Sequence, residues 1–302
     1  MQFIKNNNFL FIFLSTIIFL FFITVGGGPI TNDEIKFILF LNNNELPNDF
    51  LGRFTHIYIL KIFSFLIKDP IQLLIIVWTL IISITNFLVM KISFVLTKKS
   101  FIASIIASVL FVFQPIVARK IGALYSDNIL MLFFVLSIYI YIQYLEKFPH
   151  NHNNTFYIIL LFIIFYFGIR VKPTGIVLVI PLILIFIENY KIKKISELLV
   201  GFIYSVLIFF ITTILLDFLI TNNPFQSFEL NGLVQTLENN LNNKSVHSEK
   251  ISWLGLIFSN SFSFLFMNFI IFIYTFNSNK NIKILPIFVL SSLIFLTLII
   301  FF

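Results

Sequence analysis

The sequence predicts an all-α polytopic membrane protein with about nine transmembrane helices, and three observations support that class. First, 59% of the 302 residues are hydrophobic and only 11% are charged, whereas soluble domains carry about 25% charged residues. Second, several apolar segments reach the roughly 20 residues that a helix needs to cross about 30 Å of hydrocarbon. Third, these segments do not alternate between apolar and polar residues as the strands of a barrel do. Helices are therefore expected, because a helix satisfies its own backbone hydrogen bonds where water is absent.

Nine segments are candidate spans, and interfacial helices are predicted in the first extracytoplasmic loop. The spans are residues 9–25, 71–96, 101–117, 128–145, 156–168, 174–187, 199–220, 253–276 and 284–302. No A-x-A-like cleavage site follows the first span, which favours a retained helix over a signal peptide. The stretch 54–67, which His56 and Lys61 interrupt, suits an interfacial or re-entrant helix better than a crossing.

The lysines predict the orientation, because loops rich in positive charge stay in the cytoplasm. If 54–67 does not cross, the lysines near residues 5, 98, 147, 191–194 and 280–283 all fall on one side. The N-terminus is then cytoplasmic, in the inner (plasma) membrane, and residues 26–67, 119–127, 170–173 and 221–252 are extracytoplasmic. Orientation also accounts for the net charge of +7, so no nucleic-acid partner is predicted. Cysteine is absent, which excludes disulfides and a thiolate nucleophile.

The three arginines of the chain, Arg53, Arg119 and Arg170, all fall on the predicted extracytoplasmic side. This placement opposes the positive-inside trend in a sequence that otherwise uses lysine for its positive charge. A guanidinium offers a planar fork of donors that binds phosphate bidentately. The arginines therefore predict an anionic, phosphate-bearing ligand at the outer membrane boundary. The alternative is that they only extend to lipid headgroups.

Carboxylates stand close to apolar helix ends on the same predicted side. Asp33 and Glu34 follow the first span, and Asp127 begins the fourth. Carboxylates at membrane depth are costly and tend to be functional. Alternatively, Asp33 and Asp127 are helix N-caps. The sequence predicts that these acids take part in the chemistry of the site.

The segment Arg170-Val171-Lys172-Pro173-Thr174-Gly175 joins two apolar helices with almost no loop between them. Its proline stops one helix or starts the next. Arg170 and Lys172 place positive charge beside a helix N-terminus, which is a ready anion site. A plain turn would need Asn, Gly or Ser instead.

The order of these motifs resembles a known family. A first helix is followed by Asp33-Glu34, interfacial helices, Pro115-x-x-x-Arg119 with Tyr125-Ser126-Asp127, and Lys172-Pro173-Thr174-Gly175. This order is similar to that of the C-type (GT-C) polytopic glycosyltransferases, above all the protein O-mannosyltransferase-like and aminoarabinose-transferase-like bacterial enzymes. Residues 1–190 carry the resemblance and would form the catalytic transmembrane module. Residues 191–302 would form C-terminal transmembrane helices with an extracytoplasmic loop at about 221–252.

The resemblance implies an inverting transferase that moves a sugar from a polyprenyl-phosphate-linked donor to a glycan, lipid or protein acceptor on the extracytoplasmic face. Asp33 would match the family's acidic residue in the first loop, the general base for the acceptor hydroxyl, and Glu34 would orient the acceptor. Arg119 and Asp127 would match the second-loop pair, and Lys172 the lysine near the lipid phosphate. No cofactor is required, although a divalent cation is an open alternative. Membrane lipids are the other expected partners.

Two other classes stay open. A transporter or flippase of a lipid-linked saccharide would typically carry inverted repeats and broken helices at the midplane, and no such repeat is evident in this sequence. An inactive scaffold subunit of a glycan-assembly complex would keep the fold without the chemistry. Release of free lipid phosphate from a donor separates these classes, because only the enzyme produces it.

Overall fold

A computed structural model describes residues 2–25, 32–43, 54–97, 99–112, 126–147, 155–171, 173–191 and 195–225. All regular structure within these ranges is helical. The α-helices of this part of the chain are α1 (Gln2–Val25), α2 (Asn32–Asn43), α3 (Phe54–Ser64), α4 (Pro70–Leu96), α5 (Phe101–Val112), α6 (Ser126–Lys147), α7 (Thr155–Val171), α8 (Val179–Lys191) and α9 (Ile195–Thr221). A 3₁₀ helix, Pro173–Leu178, connects α7 to α8.

Three helical stretches are long and apolar enough to cross a membrane: Pro70–Leu96, Asn128–Glu146 and Ile195–Ile220. Shorter apolar helical stretches are Leu10–Ile23, Phe101–Val112, Thr155–Val171 and Gly175–Ile187. For the described residues, the prediction of a helical fold with helices long and apolar enough to cross a membrane is thus confirmed. Residues 113–117 of the third predicted span, and the spans 253–276 and 284–302, lie outside the described residues, so the count of nine stays a prediction.

Helix α4 begins where the sequence predicted a span, and its first residues explain why. Asp69 is the N-cap, and its Oδ1 accepts hydrogen bonds from the backbone N–H groups of Ile71 (2.8 Å) and Gln72 (3.2 Å). Pro70 occupies the first turn, where its missing N–H costs nothing. These contacts satisfy backbone donors that the first turn leaves without an intrahelical partner.

Helix α4 packs antiparallel to both α1 and α5. The Phe22 ring near the end of α1 lies 5.3 Å from the Trp78 ring near the start of α4, and Phe11 lies 5.7 Å from Phe94. Ser108 of α5 donates a 2.9 Å hydrogen bond to Oδ1 of Asn86 on α4. Such interhelical polar contacts join helices in a membrane, where the surrounding lipid is as apolar as the helix surface.

Helices α7 and α9 run parallel, because the 3₁₀ helix and α8 return the chain between them. The pairs along their interface advance in the same direction: Phe162 with Phe202 at 5.2 Å, and Tyr166 with Phe209 at 5.0 Å between ring centroids. The parallel arrangement brings the last turns of α7 and α9 to the same end of the bundle.

Eight of the described helices meet at one end of the bundle, which we call the α3 end. They are α2 and α3, the last turns of α1, α5, α7 and α9, and the first turns of α4 and α6. A single hydrophobic cluster joins these elements through Phe22, Phe40, Ile57, Leu73, Phe111, Ile129 and Val171. Helix α3 has 11 residues, which span only about 16 Å. Its contacts with the cluster place it at this one end, and the expectation that 54–67 does not cross stays a prediction.

Candidate functional site

Arg170 lies in the last turn of α7, at the α3 end. Its guanidinium carbon Cζ is 5.9 Å from the centroid of the Phe209 ring on α9, a cation–π arrangement. The side chain is partly exposed. Arg170 is the one arginine of the chain that falls within the described residues.

Asp217 lies in the last part of α9 and is completely buried, with 0% of its surface exposed. Its Oδ1 accepts a 2.5 Å hydrogen bond from the Tyr58 hydroxyl of α3. The Arg170 guanidinium lies within electrostatic range of both Asp217 and Tyr58. A carboxylate taken out of water needs a positive partner and hydrogen bonds, and these neighbours supply them. The three side chains form what we call the Tyr58–Arg170–Asp217 cluster.

Helix α3 places Tyr58 in this cluster. The Thr55 hydroxyl donates a 2.8 Å hydrogen bond to the backbone carbonyl of Phe167, one turn before Arg170. Phe54 and Ile57 are each 1% exposed, so the first turns of α3 are packed inside the protein. His56 is also buried there, at 2% exposed. The cluster therefore depends on three helices that are far apart in the sequence.

Two helices that carry predicted site residues, α2 and α6, reach the same end. The backbones of Asp33 and Glu34 lie in the first turn of α2, and that of Asp127 lies in the first turn of α6. Both helices contribute to the cluster that defines the α3 end, through Phe40 and Ile129. The side chains of these three acids, and all of Arg53, Arg119 and Lys172, lie outside the described residues. Convergence of their functional groups stays a prediction.

Sequence reasoning missed Asp217 and Tyr58. Asp217 lies inside the predicted span 199–220, which was interpreted only as apolar. A signal for it existed, since an ionisable residue within a transmembrane segment is a functional candidate by default. Tyr58 had no such signal, because it is one of ten tyrosines and its partner is 159 positions away.

The side chains of the site decide which ligands it can bind. Among the residues that the structure describes, no three His, Asp or Glu side chains are grouped so that they could hold a metal ion. What the cluster does offer is a guanidinium within electrostatic range of a buried carboxylate. A guanidinium carries five N–H donors in a planar fork, the geometry that suits phosphate and carboxylate.

The fold and the composition define an all-helical membrane protein with a buried charged cluster at one end of its bundle. Comparisons of the chain with protein-family models, with curated proteins and with solved structures found no match. The more specific function is therefore argued from the residues alone.

Proposed function

We propose that this protein is a membrane glycosyltransferase that moves a sugar from a polyprenyl-phosphate-linked donor to an acceptor on the extracytoplasmic face. The observation that carries the proposal is that α2, the first turn of α6 and the last turn of α7 contribute to one hydrophobic cluster at the α3 end, through Phe40, Ile129 and Val171. Those elements hold Asp33, Glu34, Asp127 and Arg170. Sugar transfer from a lipid phosphate needs a carboxylate that acts as general base and a fixed positive charge beside the leaving phosphate.

The proposed reaction is a single displacement at the anomeric carbon. Asp33 accepts the proton of the acceptor hydroxyl as general base, and Glu34 orients the acceptor. The hydroxyl oxygen bonds to the anomeric carbon while the bond from that carbon to the phosphate oxygen breaks. The electron pair leaves with the lipid phosphate. Because the reaction is a single displacement, the configuration at the anomeric carbon inverts.

Positive charge around the leaving phosphate comes from the chain itself. Arg170 lies in the last turn of α7, and Arg53, Arg119 and Lys172 are predicted to lie on the same extracytoplasmic side. Asp127 would hold Arg119 in place as its second-loop partner. Fixed cations that face charge developing in the transition state lower its free energy without reorganisation. This set stabilises the phosphate through guanidinium and ammonium groups.

Neutralising Asp33 tests the catalytic assignment. Asp33→Asn removes the general base with little change in shape, so we expect transfer to fall by at least about 100-fold. The measurement is release of free polyprenyl phosphate when purified protein is incubated with polyprenyl-phosphate sugars and acceptor-containing membranes. The fraction of protein that remains monodisperse in detergent shows that the variant still folds.

Glu146→Gln is the matched control for that experiment. Glu146 is an exposed carboxylate in the last turns of α6, at the opposite end of the bundle. Its neutralisation should leave transfer unchanged. Full transfer by Asp33→Asn would remove Asp33 from the mechanism. Failure of the unaltered protein to release any lipid phosphate would favour the transporter or the scaffold instead.

A further inference from the structure

We propose that Asp217, together with Tyr58, is a positioning residue that holds the Arg170 guanidinium at the α3 end, where the guanidinium binds the phosphate of a lipid monophosphate. The inference rests on the proposed function for the class of lipid, since a lipid monophosphate is the product that leaves after transfer. Neither Asp217 nor Tyr58 has a role in the reaction as described above. They act through Arg170.

The geometry of the three helices supports this role. Tyr58 is joined to Asp217 by a 2.5 Å hydrogen bond, and Thr55, one turn earlier on α3, is joined to the carbonyl of Phe167 on α7. Helix α3 thus contacts both the helix that carries Arg170 and the helix that carries Asp217. The Phe209 ring, two turns before Asp217, lies against the guanidinium at 5.9 Å. The guanidinium thus lies over an aromatic ring of α9 and within electrostatic range of the carboxylate two turns further along that helix.

The difference in exposure argues that the cluster has more than a structural role. Asp217 is fully buried and Tyr58 is 4% exposed, whereas Arg170 is partly exposed. An ion pair kept only for stability is often replaced by apolar side chains without loss. Here the carboxylate is buried and the arginine is partly exposed, so the cation is the member of the pair that solvent or a ligand can reach. A phosphate is the anion that its planar fork fits best.

Arginine-selective modification of the unaltered protein tests whether Arg170 binds a lipid phosphate. Phenylglyoxal can modify only three arginines in this chain, and mass spectrometry of peptides distinguishes them. The probes are farnesyl phosphate, inorganic phosphate and, as the neutral match, farnesol. We expect farnesyl phosphate to slow modification of Arg170, inorganic phosphate to slow it less, and farnesol to have no effect. Equal modification with all three probes, or an Arg170 that never reacts, would overturn the proposal.

Substitution of Asp217 tests the positioning role. Asp217→Asn keeps the shape and an oxygen that can accept from Tyr58, but it removes the charge that holds Arg170. We expect the Kd for farnesyl phosphate to rise about tenfold, with protection of Arg170 lost, while Asp217→Glu restores both in part. Glu197→Gln, at the opposite end of the same helix, is the matched control and should bind as the unaltered protein does.

The outcomes separate this inference from the proposed function. If Asp217→Asn binds farnesyl phosphate as tightly as the unaltered protein, the positioning role is wrong whatever the transfer assay shows. If Asp217→Asn does not fold, protection of Arg170 in the unaltered protein still decides whether the guanidinium binds phosphate. If Asp33→Asn transfers normally while Arg170 is protected, the catalytic assignment fails and the phosphate site stands.

Discussion

At the scale of single residues, a notable feature is that some buried polar side chains form hydrogen bonds with side chains on other helices. Asp217 accepts a hydrogen bond from the Tyr58 hydroxyl. The Nδ2 group of Asn189 donates a hydrogen bond to the Tyr144 hydroxyl at 2.9 Å. Both Asp217 and Asn189 are 0% exposed. In a medium that supplies no water, an unsatisfied polar group is costly. Partnering of this kind fixes which helix faces meet.

Two glycines, Gly168 near the end of α7 and Gly175 in the 3₁₀ helix that follows it, lie where the chain packs closely against itself. A Cβ at Gly175 would overlap the backbone carbonyl group of Gly168 and lie 2.8 Å from the backbone nitrogen of Ile169. A Cβ at Gly168 would instead meet the end of the Leu178 side chain. A side chain can turn aside, whereas backbone atoms of a helix cannot. Gly175 in the motif at 170–175 is therefore required by close packing.

Alanine at these two glycines should have unequal effects. We expect Gly175→Ala to lower the free energy of unfolding by about 1–3 kcal/mol, the usual range for overpacking, and Gly168→Ala to cost less than about 1 kcal/mol. The measurement is thermal unfolding in detergent followed by tryptophan fluorescence. Equal losses in the two variants would contradict the argument from backbone overlap.

At the scale of helices, polar pairs join the antiparallel neighbours. The Ser108 hydroxyl donates to Asn86 between α5 and α4, and Ser93 donates to the carbonyl of Ala103 at 3.2 Å in the same helix pair. Helix α5 exposes Ile102 and Ile106, at 71% and 53%. Its apolar side chains therefore face outward while its serines face α4. Polar and small residues hold this helix pair together, as in other membrane helices.

A double-mutant cycle measures that helix contact. Asn86→Ala and Ser108→Ala should show a coupling energy of about 0.6 kcal/mol, and at most about 1.7 kcal/mol, as for other interhelical hydrogen bonds in membranes. The measurement is reversible unfolding in mixed detergent. Thr85→Val replaces Asn86→Ala in the control cycle, because the Thr85 hydroxyl bonds the carbonyl of Ile81 in its own helix. Coupling in the control cycle as large as in the test cycle would contradict the assignment.

At the scale of the whole molecule, the arrangement is a bundle with two unlike ends. The α3 end collects the cluster with Arg170 and Asp217, together with the turn before α4. The other end carries the turn between α4 and α5 and the last residues of α6. Helix α4 has 27 residues, so its ends are about 40 Å apart, which exceeds the hydrocarbon thickness. The two ends should face different compartments.

Single cysteines test that orientation on a background free of cysteine. Lys68→Cys, in the exposed turn before α4, and Ser100→Cys, in the turn after it, lie at opposite ends of one helix. We expect a membrane-impermeant maleimide to label position 68 from outside intact cells and position 100 only after permeabilisation. The unaltered chain controls for background labelling. Labelling of both positions from the same side would refute the predicted topology, and with it the extracytoplasmic site.

Particular elements show how far the sequence allowed prediction. The predicted span 71–96 is matched by α4 at Pro70–Leu96, because a long apolar run and a strong N-cap are local signals. Helices α2 and α3 appear within the loop where interfacial helices were predicted. The predicted span 174–187 begins with the 3₁₀ helix Pro173–Leu178 and continues as α8. The close approach of Gly175 to Gly168 accompanies that tighter winding, and apolar composition could not show it.

The sequence by itself determined that this chain is a helical membrane protein and where many of its helices begin, because apolar content and capping are properties of neighbouring residues. Only the tertiary structure decided that Tyr58, Arg170 and Asp217 meet. Their contact depends on which faces of α3, α7 and α9 pack together, with 159 positions between Tyr58 and Asp217. A buried carboxylate in an apolar helix indicates that a partner exists, but packing of the whole bundle selects which one.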